Sequence, residues 1–258
     1  MIVLAISNQK GGTAKTTTAV TVAHKLAIEG LDALLVDTDV QGHATLATGL
    51  DKAPGIYRLV QRFQGLPEDL LLLTARKRLD VIPSDKMTEQ AKMTLAGMSF
   101  RERLLQEAFE DLNSYDVAVI DCAPSLDVLH VAALVAADWL IVPTRLDYLA
   151  VDGVNEVLTS LAEMKRRSDD APQLLGILPT FFDRTTNETM VQLRALVNTF
   201  GDLVLPPVPV DTKMREAPAH GQTIWEYAPG TRSIVGIETR KGNHGGYLQF
   251  IDRVKEVL

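Results

Sequence analysis

The stretch NQKGGTAKTT, residues 8–17, decides the fold, because it lies between the apolar run Ile2–Ile6 and a helical pattern. A phosphate-binding loop of the form G-x-x-x-x-G-K-[ST] connects a strand to a helix in this way. The stretch departs from that form at Gln9 and Ala14, where glycine is usual, and it carries a second lysine, Lys10. Its context therefore predicts a phosphate-binding loop with an altered glycine pattern.

The residue types of this loop suit phosphate. Backbone N–H groups and the positive end of a helix dipole hold phosphate oxygens, and Lys15 adds a movable charge. Thr16 offers a hydroxyl for Mg²⁺. Because the methyl group of Ala14 has to point away from phosphate, we expect a negative φ there. The structural alternative is a glycine turn that begins an ordinary helix.

Apolar runs and helical patterns alternate along the rest of the chain. Helical spacing covers residues 16–30, where Gly30 ends the pattern, and returns around residues 104–109. This order predicts an α/β fold with a doubly wound, mostly parallel sheet flanked by helices, and ligands beyond the carboxyl ends of the strands. We expect one domain over residues 1–258, with a loop-like stretch at 232–246 and a closing helix at 247–258. Further strands are predicted at residues 33–36, 81–83, 117–120, 140–142 and 174–178.

Composition excludes several classes of protein. The 258 residues are 46% hydrophobic, and no run approaches the roughly 18 apolar residues of a membrane span, so we expect a soluble, cytoplasmic protein. A single cysteine, Cys122, excludes an internal disulfide and a cluster held by Cys-x-x-Cys pairs. The formal charge of −7 argues against an overall basic nucleic-acid binder but leaves a local basic patch possible. The five histidines are scattered without ligand spacing, and Cys122 is predicted to be a packing residue.

The K-G-G-x-x-K-T-T form resembles the deviant Walker A loop of the ParA/MinD class of P-loop ATPases. The resemblance continues through LLVDTDVQGHAT at residues 34–45, LDVIPS at 79–84, VAVIDCAPSL at 117–126 and EAPAHG at 216–221. These five motifs occur in the order of the family and span most of the chain. The resemblance implies a P-loop NTPase fold that binds ATP and Mg²⁺ and hydrolyses ATP. It also implies nucleotide contacts from the loop residues Lys10, Gly11, Gly12, Thr13, Ala14, Lys15, Thr16 and Thr17.

The resemblance also assigns roles to charged residues. Lys15 serves the nucleotide of its own subunit, whereas Lys10 reaches the phosphates bound by the other subunit of an ATP-dependent homodimer. Asp121 corresponds to the Walker B aspartate that holds Mg²⁺, commonly through water. Asp39 corresponds to the residue that orients the attacking water. For Asp37, a place in the metal shell and a helix-capping role remain equal alternatives.

Contacts with adenine and with DNA follow from the likeness to the ParA/Soj-like partition ATPases. These proteins bind DNA without sequence preference as ATP dimers, associate with the nucleoid, and are released when a ParB-like or other partner stimulates hydrolysis. Relatives often have Ile-Pro-Arg-Asn where this chain has Val-Pro-Val-Asp at residues 208–211, so Pro209 and Asp211 are the expected adenine contacts. Cations suit DNA phosphates, and the candidates are Arg194, Lys213, Arg215, Arg232, Arg240 and Lys241.

Three alternatives compete with the interpretation that this chain is a partition ATPase. A MinD-like membrane regulator needs a basic amphipathic C-terminal helix, and residues 247–258 resemble an ordinary packed helix instead. An iron–sulfur relative needs more thiolates than one cysteine provides. A binding module in which ATP is a structural clamp with negligible turnover also stays open, and Asp39 argues against it. The cargo, whether plasmid, chromosome or protein assembly, is not determined by fold and site.

Overall fold

The computed structural model describes residues 1–65, 69–168, 170–239 and 242–258. Within this part of the chain, seven strands form one sheet and two more form a hairpin. The strands of the sheet are β1 (Ile2–Ile6), β2 (Ala33–Asp37), β3 (Leu73–Arg76), β4 (Leu79–Ile82), β5 (Val117–Asp121), β6 (Trp139–Arg145) and β7 (Gln173–Thr180). The hairpin consists of β8 (Ile237–Thr239) and β9 (Gly242–His244).

The strand order in the sheet is β3-β4-β2-β5-β1-β6-β7. All neighbouring strands run parallel except β3 and β4, which are antiparallel. Parallel neighbours that are not consecutive in sequence require crossover connections, and helices supply them. The doubly wound, mostly parallel sheet that the alternating pattern predicts is therefore confirmed.

Helices follow most strands and cover both faces of the sheet. The longest helix has 18 residues and follows β6, and the helix after the phosphate loop has 14 residues. In chain order the helices are α1 (Lys15–Ile28), α2 (His43–Ala47), α3 (Gly55–Phe63), α4 (Met87–Ala96), α5 (Leu104–Glu110), α6 (Val128–Ala136), α7 (Ala150–Arg167), α8 (Asn187–Phe200), α9 (Lys213–Ala219), α10 (Ile224–Tyr227), α11 (Arg232–Val235) and α12 (Gly246–Lys255). Short 3₁₀ turns lie at Arg101–Arg103 and Gly201–Leu203.

The burial of both faces of β1 explains why its sequence is a continuous apolar run. Val3 and Ala5 pack in a cluster with residues of α3 to α7, whereas Leu4 and Ile6 pack in a second cluster with α1 and α12. Successive side chains of a strand point to opposite faces, so a strand covered on both sides has no polar position. The same alternation between the two clusters holds for β2.

Two stretches differ from the sequence expectations. Strand β3 was not predicted, because LTAR is a short, partly exposed edge strand and only its first residue belongs to the leucine run at residues 70–73. Residues 232–246, expected to be loop-like, contain α11 and the β8–β9 hairpin. The closing helix is confirmed as α12, whose Tyr247, Phe250, Ile251 and Val254 are buried. No helix in the described ranges is both long and apolar enough to span a membrane.

The register of the three central strands positions the site. Ile6 of β1 and Asp37 of β2 both lie opposite Asp121 of β5, which stands between them in the sheet. Because parallel strands end at the same edge, the phosphate loop after β1 and both carboxylates meet there. Asp37 and Ile6 precede Asp121 by 84 and 115 positions in the sequence, and the tertiary structure brings all three to one edge.

Candidate nucleotide-binding site

The phosphate loop ends where α1 begins, at Lys15. The Lys15 ammonium group donates a hydrogen bond of 2.9 Å to the carbonyl oxygen of Lys10, so the side chain folds back over the loop. Lys15 is only 7% exposed. Burial lowers the pKa of this lysine, and nearby Asp121 partly opposes that effect. The lysine is thus held beside the main chain of the loop, at the N-terminus of a helix that favours anions.

The expectation of a negative φ at Ala14 is wrong. Ala14 has φ 70° and ψ 28°, in the left-handed region, as the residue that directly precedes α1. Gly12 also has a positive φ, 73°. The left-handed region costs an alanine roughly 1 kcal/mol because its Cβ approaches the backbone oxygens. The loop therefore accepts at Ala14 a conformation that the glycine of the usual motif would adopt without strain.

Asp37 and Asp121 are neighbouring buried carboxylates at the sheet edge. They are 0% and 1% exposed. Burial raises the pKa of Asp121 well above its ordinary value, and Asp37 raises it further. The Thr16 hydroxyl donates to Asp121 Oδ2 over 2.7 Å, and Asp121 Oδ1 is buried with no hydrogen-bond partner among the described residues. An unpartnered buried carboxylate oxygen beside a threonine hydroxyl fits a hard cation that binds oxygen ligands.

Asp37 binds the first turn of α2, whose N-cap residue is Gly42. Its Oδ2 accepts hydrogen bonds from the backbone N–H and the hydroxyl of Thr45, both over 2.8 Å. Its Oδ1 accepts from the N–H of Asp39 over 3.2 Å. These bonds satisfy a donor at the start of a helix, which is the capping alternative of the sequence analysis. Burial nonetheless raises the pKa of Asp37 to about 6.

Asp39 lies in the turn between β2 and α2. Its Oδ1 accepts a hydrogen bond from the N–H of Gln41 over 2.9 Å. It lines a groove of about 640 Å³ together with Lys92 of α4 and residues 123–125 of the loop after Asp121. Because Asp37 holds the N–H of Asp39, the turn is anchored to the buried carboxylate pair. This places the Asp39 carboxylate beside the loop that follows Asp121, with access to solvent.

Lys10 forms an ion pair that the sequence did not indicate. Its ammonium group lies 2.6 Å and 2.7 Å from the two carboxylate oxygens of Asp147, just after β6. Both side chains are 30% exposed. Asp147 Oδ1 also accepts the N–H of Leu149 over 3.1 Å at the start of α7. The sequence signal for this ion pair was an aspartate shortly after a strand. It did not point to Lys10, because the two residues lie 137 positions apart in the sequence.

A cavity of about 260 Å³ opens beside the first turn of α1. Its walls are mostly apolar and include Phe181, Pro209 and Tyr247, and among the described residues lining it the charged ones are Asp211 and Arg215. Ala14 and Thr17 of the phosphate loop also line it, so the cavity adjoins the phosphate-binding loop. The structure thus places both predicted adenine contacts, Pro209 and Asp211, in one cavity next to the loop.

Comparisons with known proteins agree with this geometry. A profile of the AAA domain family matches residues 1–174. The chain is 34% identical over 235 residues to the sporulation initiation inhibitor protein Soj of Bacillus subtilis, covering 89% of this chain and 92% of that protein. It is 37% identical over 230 residues to the chromosome-partitioning ATPase Soj of Thermus thermophilus, covering 88% of each. This chain belongs to the ParA/Soj family.

A solved structure of similar fold carries nucleotide and metal. It is described as cobyrinic acid a,c-diamide synthase of Mycobacterium smegmatis with bound ATP analog and magnesium, and it is 32% identical with a TM-score of 0.74. The match covers 86% of this chain and 93% of that one. The likeness supports nucleotide and Mg²⁺ binding in this fold. Because that protein is named as a synthase, the likeness does not indicate which reaction this chain catalyses.

The candidate DNA contacts of this ParA/Soj family member differ in their surroundings. Lys213 is paired with Glu216 over 2.7 Å and lies over the Tyr227 ring. Arg232 is exposed and borders a cleft that also contains Asp183 and Glu238. Arg194 on α8 and Arg215 on α9 are exposed and have no ion-pair partner in the part of the chain that is described. Arg240 and Lys241 lie outside the described residues.

Besides Asp147, sequence reasoning missed two further residues, Phe181 and Arg184. Phe181 has a positive φ of 56° and lines the cavity beside α1, with the Arg145 guanidinium 5.2 Å from its ring centroid. Arg184 is exposed and borders the same cleft as Arg232. Neither position carries a local signal, because a lone phenylalanine and a lone arginine after a strand are ordinary surface or core residues.

Cys122 and two of the histidines, His24 and His130, are buried inside the protein. Cys122 is 1% exposed, and burial raises the pKa of its thiol, which confirms its prediction as a packing residue. His24 Nδ1 lies 2.6 Å from the Thr223 hydroxyl, and His130 is buried against Ser7. No group of three or more metal-binding side chains occurs within residues 1–65, 69–168, 170–239 and 242–258.

Proposed function

We propose that this chain is a ParA-like ATPase that hydrolyses ATP to ADP and phosphate and positions a cargo on DNA. The observation that carries the proposal is the meeting of three groups at one sheet edge. Lys15 heads α1, Thr16 contacts Asp121, and Asp39 lies in a turn anchored to the same carboxylate pair. This combination supplies a phosphate cradle, a metal-binding pair and a residue for the water, which are the parts that phosphoryl transfer requires.

The chain's own residues would divide the work as follows. The N–H groups at the start of α1 and the Lys15 ammonium bind the phosphates, so Lys15 exchanges its bond to the Lys10 carbonyl for phosphate oxygens. Thr16 and Asp121 would hold Mg²⁺, which would neutralise charge on the phosphates. Asp39 would orient a water molecule whose oxygen bonds to the γ-phosphorus as the bond to ADP breaks, and the proton of that water leaves with the phosphate product or to solvent.

ATP also drives homodimer formation in this proposal. Two anionic nucleotides that face each other need additional positive charge, and Lys10 of each subunit supplies it to its neighbour's phosphates. The Lys10–Asp147 pair of the single chain then has to separate. Both side chains are 30% exposed, and exposed ion pairs stabilise a protein by roughly 1 kcal/mol or less. Separation of this pair therefore reduces the free energy of dimer formation only slightly.

The ATP dimer binds DNA without sequence preference and associates with the nucleoid. Arg194, Arg215 and Arg232 are exposed cations that suit phosphate contacts, and dimerisation doubles whatever patch one subunit presents. Lys213 contributes less, because Glu216 already holds its ammonium group. A ParB-like or other adaptor protein stimulates hydrolysis and releases the dimer, and the cargo is a plasmid, a chromosome or another assembly.

Two observations argue against the MinD-like membrane regulator and the structural ATP clamp. The apolar residues of α12, including Tyr247 and Phe250, pack into the protein, which disfavours a MinD-like use of this helix on membranes. Asp39 borders a groove open to solvent, which favours turnover over a purely structural ATP clamp.

DNA co-sedimentation with ATP, ADP and no nucleotide, at two salt concentrations, tests the proposal. We expect sedimentation with ATP alone and its loss at the higher salt concentration, because phosphate contacts release counterions. Binding that is independent of nucleotide or insensitive to salt would contradict it. Sedimentation with anionic vesicles in place of DNA would favour the membrane alternative instead.

A further inference from the structure

The groove beside Asp39 has two walls that come from different parts of the chain. The first wall is the turn at residues 39–41, and the second is the loop that follows Asp121, of which residues 123–125 line the groove. Helix α4 contributes four further lining residues, among them Lys92. Whatever fixes the second wall relative to the first therefore determines the space that is open to a water molecule beside the Asp39 carboxylate.

Lys92 forms an ion pair with the end of this loop. Its ammonium group lies 2.7 Å from Asp127 Oδ2, and its side chain is 11% exposed, the least exposed cation of the ion pairs in the described ranges. Asp127 Oδ2 also accepts the Ser125 hydroxyl over 2.7 Å, and Oδ1 accepts the His130 N–H over 3.1 Å in α6. Burial acts to raise the pKa of Asp127, but these bonds hold it below its ordinary value. The loop thus ends on a charged carboxylate that Lys92 neutralises.

Helix α4 is anchored to the first wall through buried hydroxyl groups. Thr88 lies one turn before Lys92, and its hydroxyl is 2.7 Å from that of Ser84. The N–H of Ser84 donates to the Thr45 hydroxyl over 3.2 Å, and that hydroxyl donates to Asp37, the carboxylate that holds the turn of the first wall. The three hydroxyl-bearing residues are 0% exposed. Because a satisfied buried network rigidifies its surroundings, α4 and the turn form one unit.

We propose that Lys92 is a positioning residue for ATP hydrolysis. Through Asp127 it attaches the loop after Asp121 to the unit that carries Asp39, which fixes the space where water is oriented. Without the ammonium group, Asp127 is an unpaired, partly buried carboxylate in a groove that also contains Asp39 and Glu89. An unpaired charge of this kind is costly until it reaches water, so the loop moves outward. The inference rests on the proposed function, because it requires Asp39 to orient water.

The alternative is that the ion pair only stabilises the fold. Loss of Lys92 would then lower the free energy of unfolding and leave kcat of the folded protein unchanged. A positioning role instead lowers kcat and leaves ATP binding intact, because the phosphate loop at residues 10–17 does not line this groove. Arginine keeps the positive charge and binds a carboxylate well, so Lys92→Arg should preserve the function of the pair.

Phosphate release, binding of a fluorescent ATP analogue and urea denaturation test the inference on Lys92→Met. We expect kcat to fall about tenfold to a hundredfold, because a displacement of about 1 Å can cost this much. KM and the affinity for the analogue should stay within about twofold of wild type, since ground-state binding is retained. Lys92→Arg should keep kcat within about threefold of wild type. The control Lys25→Met removes a lysine that is 19% exposed and paired with Glu29, and it should leave kcat unchanged.

Hydrogen–deuterium exchange of the nucleotide-free protein gives a second readout that requires no turnover. Amides of residues 125–127 should exchange at least about tenfold faster in Lys92→Met, because local opening exposes them to water. The exchange rates of these amides should stay at the wild-type level in Lys92→Arg and in Lys25→Met. Unchanged exchange in Lys92→Met would show that the ion pair does not hold the loop and would overturn the inference.

The remaining outcomes separate this inference from the proposed function. A wild-type protein that binds no ATP analogue, or hydrolyses ATP no faster than Asp39→Ala, would contradict both. If the wild-type protein is active and Asp39→Ala is not, a normal kcat in Lys92→Met, or an equal fall of kcat in Lys92→Arg, overturns the inference alone. Should Lys92→Met fail to fold, Asp127→Asn decides by the same criteria, since its amide oxygen can still accept the His130 N–H.

Discussion

The ammonium group of Lys10 lies 2.6 Å and 2.7 Å from the two carboxylate oxygens of Asp147 in the same chain. One ammonium group cannot hold this carboxylate and the partner subunit's phosphates together with full strength. The dimer of the proposed function therefore requires a change of partner at Lys10, and the two residues can be tested separately.

Lys10→Ala should abolish ATP-dependent dimers, because the second nucleotide loses the cation that faces it. Analytical ultracentrifugation with and without ATP measures the dimer fraction, and an Asp39→Ala background keeps ATP intact. Lys165→Ala, an exposed lysine on α7, is the control and should dimerise normally. Persistence of ATP-dependent dimers in Lys10→Ala would refute the role of Lys10 between subunits.

Asp147→Asn should lower the ATP concentration at which half of the chains are dimeric, by about two- to fivefold. This range corresponds to the roughly 0.5–1 kcal/mol that a partly exposed ion pair contributes. The same sedimentation series measures it, with Asp152→Asn on the same helix as the control. A requirement for more ATP would instead mean that Asp147 supports the dimer.

Asp39→Ala should bind ATP with near-normal affinity and hydrolyse it at least about a hundredfold more slowly, since positioning carries much of phosphoryl transfer. Binding of a fluorescent ATP analogue and release of phosphate measure the two properties in one preparation. The exposed residue Asp51 provides the control variant Asp51→Ala. Near-normal turnover in Asp39→Ala would assign the water to another residue.

Ala14→Gly should stabilise the protein by up to about 1 kcal/mol, because Ala14 has φ 70° and glycine adopts that region without strain. Urea denaturation measures the change in the free energy of unfolding. Ala162→Gly, at an exposed position within α7, should destabilise by about 1 kcal/mol through the low helix propensity of glycine. Equal destabilisation by both changes would show that Ala14 is not strained.

Glu226→Gln should lower stability at neutral pH by about 1 kcal/mol, a value reduced for solvent exposure. Contact with the Arg76 guanidinium lowers the pKa of Glu226 from 4.5 to about 2. A lowered pKa means that the stabilisation is present above pH 4.5 and is lost as the pH falls towards 2. Urea midpoints at several pH values should therefore converge between wild type and variant in acid.

The control for this prediction is Glu163→Gln, which removes a carboxylate 3.8 Å from Arg166 at an exposed site. It should change stability little at any pH. The glutamine at position 226 can still accept the N–H of Thr223, so the start of α10 keeps its capping contact. A difference between wild type and Glu226→Gln that stays constant down to pH 3 would assign the effect to packing.

Local patterns of sequence were sufficient for much of this protein. The apolar run of β1, the loop NQKGGTAKTT and the pattern of α1 follow one another, so their connection and its phosphate chemistry are readable without long-range information. The buried strands were readable because a sheet covered on both faces tolerates only apolar residues. Edge strand β3 and the hairpin β8–β9 were not, since β3 is short and partly exposed and the strands of the hairpin are short and mostly exposed.

Only the tertiary structure decided which distant groups meet. Asp147 lies 137 positions from Lys10, and strand order alone brings the end of β6 beside β1. The backbone of Ala14 was predicted from its own methyl group, but the path from β1 into α1 imposes the left-handed conformation. Sequence thus determined the elements and the chemistry of the loop, because these depend on neighbours along the chain. Folding decided the ion pairs, the burial of Asp37 and Asp121 and the pKa shifts, because these depend on neighbours in space.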